Sequence, residues 1–352
     1  MRGGEKVLQE IALLFPEADI FTLLHIPGTV SKEIESHDIY QSFISRLPFA
    51  RRKYRNYLPL FPAAVESFDL SLYDLVISSS HCVAKGAMAP VRAPHLCYIH
   101  TPMRYAYDMF HQYFSKENTG VIKRTIISLT MPRLRAWDQA THYRVDNFAV
   151  NSKFVAKRVK RYYGRESTVI HPPVDTEFYA PGKEKKEDFF LIVSALEPYK
   201  RIDLAVEAFN KNGKRLMIVG GGSQYKKLRR RAKSNINFTG RVNNNEVRSL
   251  YRKARAFIFP GIEDFGITPV EAQACGTPVI AYGEGGALET VIDGKTGIFF
   301  RRQSPEALNG AIDKIEKMDF NEKELRNNSL KFSREAFRKN FIKYLEKNGV
   351  RI

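Results

Sequence analysis

Two glutamates eight positions apart, Glu263 and Glu271, stand in the most informative stretch of this 352-residue chain, Phe259-Pro-Gly-Ile-Glu-Asp-Phe-Gly-Ile-Thr-Pro-Val-Glu-Ala-Gln-Ala-Cys-Gly-Thr-Pro-Val-Ile-Ala281. The run reads as a buried strand, a loop, a helix start and a second strand. Thr268 is the expected N-cap, and Pro269 suits the first helical position, where its missing N–H would be unpaired anyway. Gly276 fits a left-handed cap, and Pro278 stops the helix. Phe265, Gly266 and Ile267 then lie just ahead of the helix start, and their backbone N–H groups are free to hold an anion such as a diphosphate. One carboxylate can face the sugar side of a bound sugar nucleotide and the other its ribose. Glu271 has a second reading, since Thr268-Pro-Val-Glu271 also fits a capping box in which the Glu reaches back to the N-cap backbone. Glu263, in a loop between Pro-Gly and Phe-Gly, has no such structural rival.

Other residues could join this chemistry. Lys200 and Arg201 follow an expected strand, Phe189–Ala195, and a point charge at the mouth of a parallel sheet neutralises a diphosphate leaving group. An ordinary surface pair at a helix start is the alternative. His100 ends another expected strand, where a histidine is often a hydrogen-bonded structural residue; Arg104 follows in the same loop. Gly220-Gly-Gly222 comes after a strand and opens a helix, without the spacing of a dinucleotide fingerprint or a P-loop. Gly3 and Gly4 lack side chains, so their backbone can approach a ligand closely.

The elements that must position these residues are short apolar strands alternating with helical stretches. Strands are expected at Asp19–Leu24, Asp74–Ser79, Leu96–His100, Phe148–Asn151 and Thr168–His171, then at Phe189–Ala195, Arg215–Val219, Ile236–Gly240, Ala256–Pro260, Pro278–Tyr282 and Gly297–Phe300. This alternation indicates an α/β fold of two doubly wound, Rossmann-like domains with parallel sheets. The expected division is 1–171, 172–328 and a terminal helical segment, 329–352. Three cysteines, Cys82, Cys97 and Cys275, are too few and too scattered for a disulfide framework or a paired metal site, and suit a reducing cytoplasm. No apolar run reaches membrane-spanning length. The formal net charge of +18 gathers in Arg51-Arg-Lys-Tyr-Arg55, Lys153 to Arg165, and Lys226-Lys-Leu-Arg-Arg-Arg231. Solvated helix faces are one reading. Adhesion to an anionic membrane surface is the other, and the first cluster, beside Leu58, Leu60 and Phe61, combines basic and apolar character.

The stretch around the two glutamates resembles the donor-site signature of family 4 of the GT-B glycosyltransferases. Tyr98-Ile-His-Thr-Pro-Met-Arg-Tyr-Ala-Tyr107, Val150-Asn-Ser152, Val169-Ile-His-Pro-Pro-Val-Asp175 and Pro198-Tyr-Lys-Arg-Ile-Asp203 fall in the order that family shows, so the resemblance covers nearly the whole chain. The bacterial O-antigen and polysaccharide mannosyltransferases are the members it looks most like. The resemblance implies a GT-B fold whose two domains face a cleft, with a C-terminal helix crossing back over both. It implies a retaining hexosyl transfer, GDP-mannose as the preferred nucleotide-sugar donor, a glycan or lipid-linked glycan acceptor, and no required metal or cofactor. It places His100, Lys200 and Glu263 at the reacting sugar and diphosphate, and Glu271 at the ribose. Gly221 would border the nucleotide, with Arg241 and Val242 near the base, and Gly3 and Gly4 would form a loop near the donor phosphates. The family usually carries an Arg at the place of Ala195, and Arg201 is a candidate substitute.

In that family a hydrophobic strand precedes the Gly-Gly loop, whereas Met1-Arg-Gly-Gly-Glu5 is already that loop. A misassigned start or a truncated chain is expected, with two rows of backbone groups left unpaired and a weakened N-terminal domain. Two other readings stand beside the transferase. One is a nucleotide-sugar 2-epimerase of the same fold. The other is a basic nucleic-acid-binding protein, for which no recognition helix, zinc finger or RNA-binding aromatic motif speaks.

Overall fold

The chain folds into two compact units, Met1–Pro172 with Phe337–Ile352, and Pro173–Ala336. The structure is a computed structural model and describes residues 3–110, 114 and 120–351. Met1 and Arg2, at the head of the expected N-terminal loop, lie outside the described residues.

In the first unit all strands run parallel. They are β1 (Ile20–Thr22), β2 (Ile39–Gln41), β3 (Val76–Ser80), β4 (His95–Ile99), β5 (Asn147–Val150) and β6 (Ser167–Val169). They form two separate sheets, β1-β2 and β3-β4-β5-β6. β4 is buried throughout, and its side chains alternate between two cores, as a strand's period of two requires. Leu96 and Tyr98 pack with Val7 and Ile11 of the helix Gly3–Leu14 and with Phe337, Phe341, Tyr344 and Leu345 of the helix Arg334–Lys347. Cys97 and Ile99 face Val155, Val159 and Tyr163 of the helix Lys153–Tyr163.

Two expectations change here. The expected loop at Gly3 and Gly4 is the first turn of the helix Gly3–Leu14. Burial of Val7 and Ile11, four residues apart on one face, outweighs the cost of about 1 kcal/mol per helical glycine. β2 was not expected. It is three residues long and mostly exposed, so it carries no apolar alternation to read.

A fully buried ion pair holds part of this unit. Lys85 Nζ lies 3.1 Å from Asp138 Oδ1 and donates to the Asp138 carbonyl (2.6 Å) and to Thr141 Oγ1 (2.8 Å). The Tyr107 and Tyr163 hydroxyls donate to Asp138 Oδ2 at 2.6 and 2.9 Å. Tyr107 closes the segment that begins at His100, so the pair anchors that loop's far end.

The second unit has six parallel strands. They are β7 (Phe190–Val193), β8 (Leu216–Val219), β9 (Ile236–Gly240), β10 (Ala256–Phe259), β11 (Val279–Tyr282) and β12 (Gly297–Phe300), in the spatial order β12-β11-β10-β7-β8-β9. Apolar clusters cover both faces, which is why the strands other than the edge strand β9 read as near-continuous hydrophobic runs. The chain moves outward from β7 through β8 to β9, then returns to the other side of β7 as β10. The loops after β7 and β10 therefore leave the sheet in opposite directions. Such a switch point opens a crevice at the carboxyl ends of the strands, where open α/β sheets bind ligands.

Candidate active site

Lys200 and Glu263 sit on the two loops of that switch point. Lys200 ends a 3₁₀ turn, Pro198–Lys200, after β7, and Glu263 lies in the loop after β10. Lys200 Nζ is 2.5 Å from Glu263 Oε1, and both side chains are mostly buried. Gly261 lets these two loops come this close, and Gly286 lets the segment after β11 pack against the second of them. A Cβ on Gly261 would stand 2.9 Å from the Lys200 Cα and carbonyl oxygen, and one on Gly286 would stand 2.3 Å from the Phe265 Cα. The Gly286 N–H donates to the Glu263 carbonyl at 2.8 Å, which fixes the loop from behind.

The helix beside this pair is Ile267–Ala274. Its N-cap is Gly266 at φ 91°, not the expected Thr268, so Pro269 is its third residue rather than its first. That position costs no hydrogen bond, because the first four helical N–H groups have no intrahelical partner. The capping box is absent, since no side chain caps this helix. Among the described residues no acceptor takes the N–H groups of Gly266 or Ile267. Phe265 is buried against Phe332, with ring centroids 5.4 Å apart, and so anchors the loop in the core. Gly276 lies at φ 78° just past the helix, as expected of its cap.

Glu271 is 5% exposed, and its Oε2 accepts a hydrogen bond from Tyr251 at 3.2 Å. Burial and then the neighbouring Glu271 carboxylate push the Tyr251 hydroxyl well above its ordinary pKa, so it stays a donor. Arg201 stands at φ 53°, a left-handed conformation uncommon outside glycine. Its Nη1 donates to Gln303 Oε1 (2.9 Å) and its Nε to Asp203 Oδ1 (3.3 Å), while Gln303 Nε2 donates to the Pro260 carbonyl (3.1 Å). Gln303 thus ties the loop after β12 to the loop after β10. On the β8-β9 side, Arg241 lies over Gly221, with its Nε 3.7 Å from the place of a Gly221 Cβ. Val242 packs against the apolar cluster beneath.

Sequence reasoning did not single out Glu197, Tyr251 or Gln303. Glu197 accepts from the Ser223 N–H (3.1 Å) and hydroxyl (2.7 Å), joining the loops after β7 and β8. These residues have no local spacing signal, because each acts across strands far apart in sequence.

The first unit holds the other expected residues. His100 follows β4, and its Nε2 shares a hydrogen bond with Ser79 Oγ at 2.9 Å. Asn151 Nδ2 donates to the His100 carbonyl at 2.8 Å. The Gly4 backbone lies against the imidazole, and a Cβ there would meet Nε2 at 3.5 Å, an ordinary contact. Gly3 occupies the same first turn. Burial, then His81, pushes the His100 imidazole down to about 3, so it is neutral at physiological pH. Burial likewise pushes His95, whose Nε2 meets Ser78 Oγ at 2.9 Å, down to about 4.

These two histidines carry a pH prediction. Each has a folded pKa below its unfolded value near 6.5, so the unfolded state binds more protons in acid. Their stabilisation is present above about pH 6.5 and is lost as pH falls toward 4 and 3. For His95 the loss is on the order of 3 kcal/mol. The urea midpoint of unfolding is expected to fall between pH 7 and pH 4, and His95→Gln is expected to flatten that slope.

Comparison with known proteins agrees with this architecture. A sequence profile of "Glycosyltransferase Family 4" matches residues 1–178, and one of "Glycosyl transferases group 1" matches residues 174–335. An uncharacterized glycosyltransferase, MJ1178, of Methanocaldococcus jannaschii is 30% identical over 194 residues, 54% of this chain and 55% of the relative. The GDP-mannose-dependent alpha-(1-6)-phosphatidylinositol monomannoside mannosyltransferase of Mycolicibacterium smegmatis is 29% identical over 192 residues, 46% of this chain and 50% of the relative. The chain spans about half the length of the curated relatives it matches. Among solved structures, Anabaena Alr3699/HepE in complex with UDP superposes with a TM-score of 0.72 at 17% identity, covering 98% of this chain and 96% of that one. The sucrose-phosphate synthase of Thermosynechococcus elongatus gives 0.73 at 19% identity, covering 97% and 91%. At such identities the likeness is one of fold, and that fold is GT-B. With the profile spanning half its length, the chain belongs to glycosyltransferase family 4.

Proposed function

We propose that this protein transfers a hexose from a nucleoside-diphosphate sugar to a hydroxyl of a lipid-linked or polysaccharide acceptor, with retention of anomeric configuration. The observation that carries the reading is the Lys200–Glu263 pair, 2.5 Å apart at the switch point beside a helix end with unpaired N–H groups. The Lys200 ammonium and the N–H groups of Gly266 and Ile267 receive the diphosphate, whose charge grows as it departs. Glu263 accepts hydrogen bonds from hydroxyls of the donor hexose and steadies the positive charge developing at the anomeric carbon. Glu271 takes the ribose hydroxyls, and Gly221, Arg241 and Val242 border the base. The bond from the anomeric carbon to the β-phosphate oxygen breaks and the bond to the acceptor oxygen forms. The acceptor proton passes to the departing phosphate oxygen. His100, neutral and oriented by Ser79, hydrogen-bonds a sugar hydroxyl. Lysine and helix amides supply the positive charge, so no metal is required.

GDP-mannose is the preferred donor. One relative carries that specificity in its name, while Alr3699/HepE was captured with UDP and with UDP-glucose. The site of action is the cytoplasmic face of a membrane, where the protein binds peripherally. A thermal-shift screen of GDP, UDP and ADP sugars tests the reading, with GDP-mannose expected to raise the melting temperature most. Nucleotide release that requires an acceptor supports transfer. Interconversion of the donor without any acceptor would instead make the protein a 2-epimerase.

A further inference from the structure

The segment Ser42–Val65 contains no acidic residue and five basic ones, Arg46, Arg51, Arg52, Lys53 and Arg55. All five side chains are exposed, and among the described residues none of them pairs with a carboxylate. Lys53 and Arg55 instead lie over the rings of Phe49 and Tyr54, each 5.7 Å from the centroid.

The apolar members of the segment divide into two sets. Phe61 is buried, Leu58 packs against the same core, and Tyr54 stacks on Phe61. The expectation that Leu58 and Phe61 belong to the contact surface is therefore corrected: they hold the segment down. Phe49 faces outward and is 75% exposed, with Leu60 and Phe43 also exposed.

Phe49 is held there against its own backbone preference. Leu47-Pro-Phe-Ala50 is a turn closed by the Ala50 N–H on the Leu47 carbonyl at 3.1 Å. Phe49 fills the third position at φ 55°, ψ 16°, where a turn with Pro before it favours glycine. Its carbonyl accepts from the N–H groups of Arg52 and Lys53 at 3.0 and 2.8 Å, and the Tyr57 hydroxyl donates to the Pro48 carbonyl at 2.6 Å. A large apolar side chain thus occupies a glycine position, with its ring largely in solvent and the Lys53 ammonium over it. Within the fold that cation gives the ring a weak contact at an exposed site, which does not account for the strained outward placement, and this points to a use outside the chain.

We propose that Phe49 and the Arg51-Arg52-Lys53-Arg55 cluster form a docking surface for an anionic lipid bilayer, with the Phe49 ring entering the interface and the cations meeting lipid phosphates. Basic groups beside an outward apolar ring match a charged headgroup layer above a hydrocarbon boundary. A polyanion without an apolar layer would match the cations but leave Phe49 unexplained. The proposal supplies the partner surface for the membrane-side acceptor in the function proposed above. It is read by binding alone, so its failure is distinguishable from failure of the donor chemistry.

The test is co-sedimentation of the full chain with phosphatidylcholine vesicles, with and without phosphatidylglycerol, at low and at physiological salt. Wild type is expected to bind only the anionic vesicles, and less at higher salt. Phe49→Gly is expected to weaken that binding about tenfold while melting at the same temperature or higher, since glycine is at ease at this φ. Replacing Arg51, Arg52, Lys53 and Arg55 by Gln is expected to abolish it. Gln at Lys226, Lys227 and Arg229, equally exposed but without an apolar neighbour of this kind, is expected to leave most of it. Nucleoside-diphosphate binding is expected to be unchanged in Phe49→Gly. The proposal is overturned if Phe49→Gly binds vesicles as wild type does. It is equally overturned if the change at Lys226, Lys227 and Arg229 removes as much binding as the change at 51–55. Tighter binding to single-stranded RNA than to vesicles at the same salt, lost in Phe49→Gly, would also overturn it and identify a nucleic acid as the partner.

Discussion

Glu263→Gln is expected to do two opposite things: lower turnover at least tenfold and tighten the binding of free nucleoside diphosphate a few-fold. The first effect removes about 1.4 kcal/mol or more of transition-state stabilisation, because the carboxylate no longer steadies the charge at the anomeric carbon. The second follows from the 2.5 Å contact with Lys200. A lysine already neutralised by a carboxylate gives less to a diphosphate, and the neutral amide returns its full charge to the ligand. Lys200→Ala is expected to weaken diphosphate binding and to lower turnover by at least tenfold. Steady-state kinetics and calorimetric titration of the diphosphate check both signs. If Glu263→Gln weakened the diphosphate as Lys200→Ala does, the pair would be acting as one structural unit and the division of roles would be wrong.

The second large effect lies in the first unit. Asp138→Ala is expected to lower the free energy of unfolding by about 3–5 kcal/mol, since it strands the Lys85 ammonium in a fully buried site and leaves two tyrosine hydroxyls without their acceptor. Burial already pulls the Lys85 pKa down, with the Asp138 carboxylate opposing that pull. Adding Lys85→Met to Asp138→Ala is expected to recover at least about 1 kcal/mol, because the unpaired charge is gone. Chemical denaturation of the two single variants and the double variant measures this coupling; strict additivity would show that the two side chains stabilise the fold independently.

Much of the fold was legible because its strands are buried on both faces. Gly297–Phe300 is observed with the expected bounds as an apolar run between turn residues, and so is Ile236–Gly240, an edge strand in which Ile236 and Phe238 alternate with polar residues. Ile39–Gln41 left no such trace, being short and exposed. The helix start was misplaced by two residues, because Thr268-Pro269 carries the usual cap signature while Gly266 can enter a helix directly from a left-handed conformation. That shift removes the capping box and leaves Glu271 to Tyr251. Gly3-Gly4 was misread because the resembled family carries a Gly-Gly loop at that place, whereas here the buried Val7 and Ile11 decide for a helix.

The site was legible as residues and not as an arrangement. Lys200 and Glu263 stand out locally, but nothing in either neighbourhood says that β10 returns beside β7. That strand order, together with the close approach at Gly261, is what brings the two side chains into contact. Gln303 and Glu197 join loops from distant strands, so no spacing rule reaches them.

The central claim is that the carboxyl ends of the second unit's strands grip a nucleoside-diphosphate sugar through Lys200 and the amides of Gly266 and Ile267. Calorimetric titration of GDP-mannose, GDP and GMP into wild type and Lys200→Ala tests it most directly. The account predicts that wild type binds both diphosphates far more tightly than the monophosphate, and that Lys200→Ala loses at least tenfold on the diphosphates with little change for GMP. Equal affinity for GMP and GDP in wild type, or unchanged diphosphate affinity in Lys200→Ala, would contradict it.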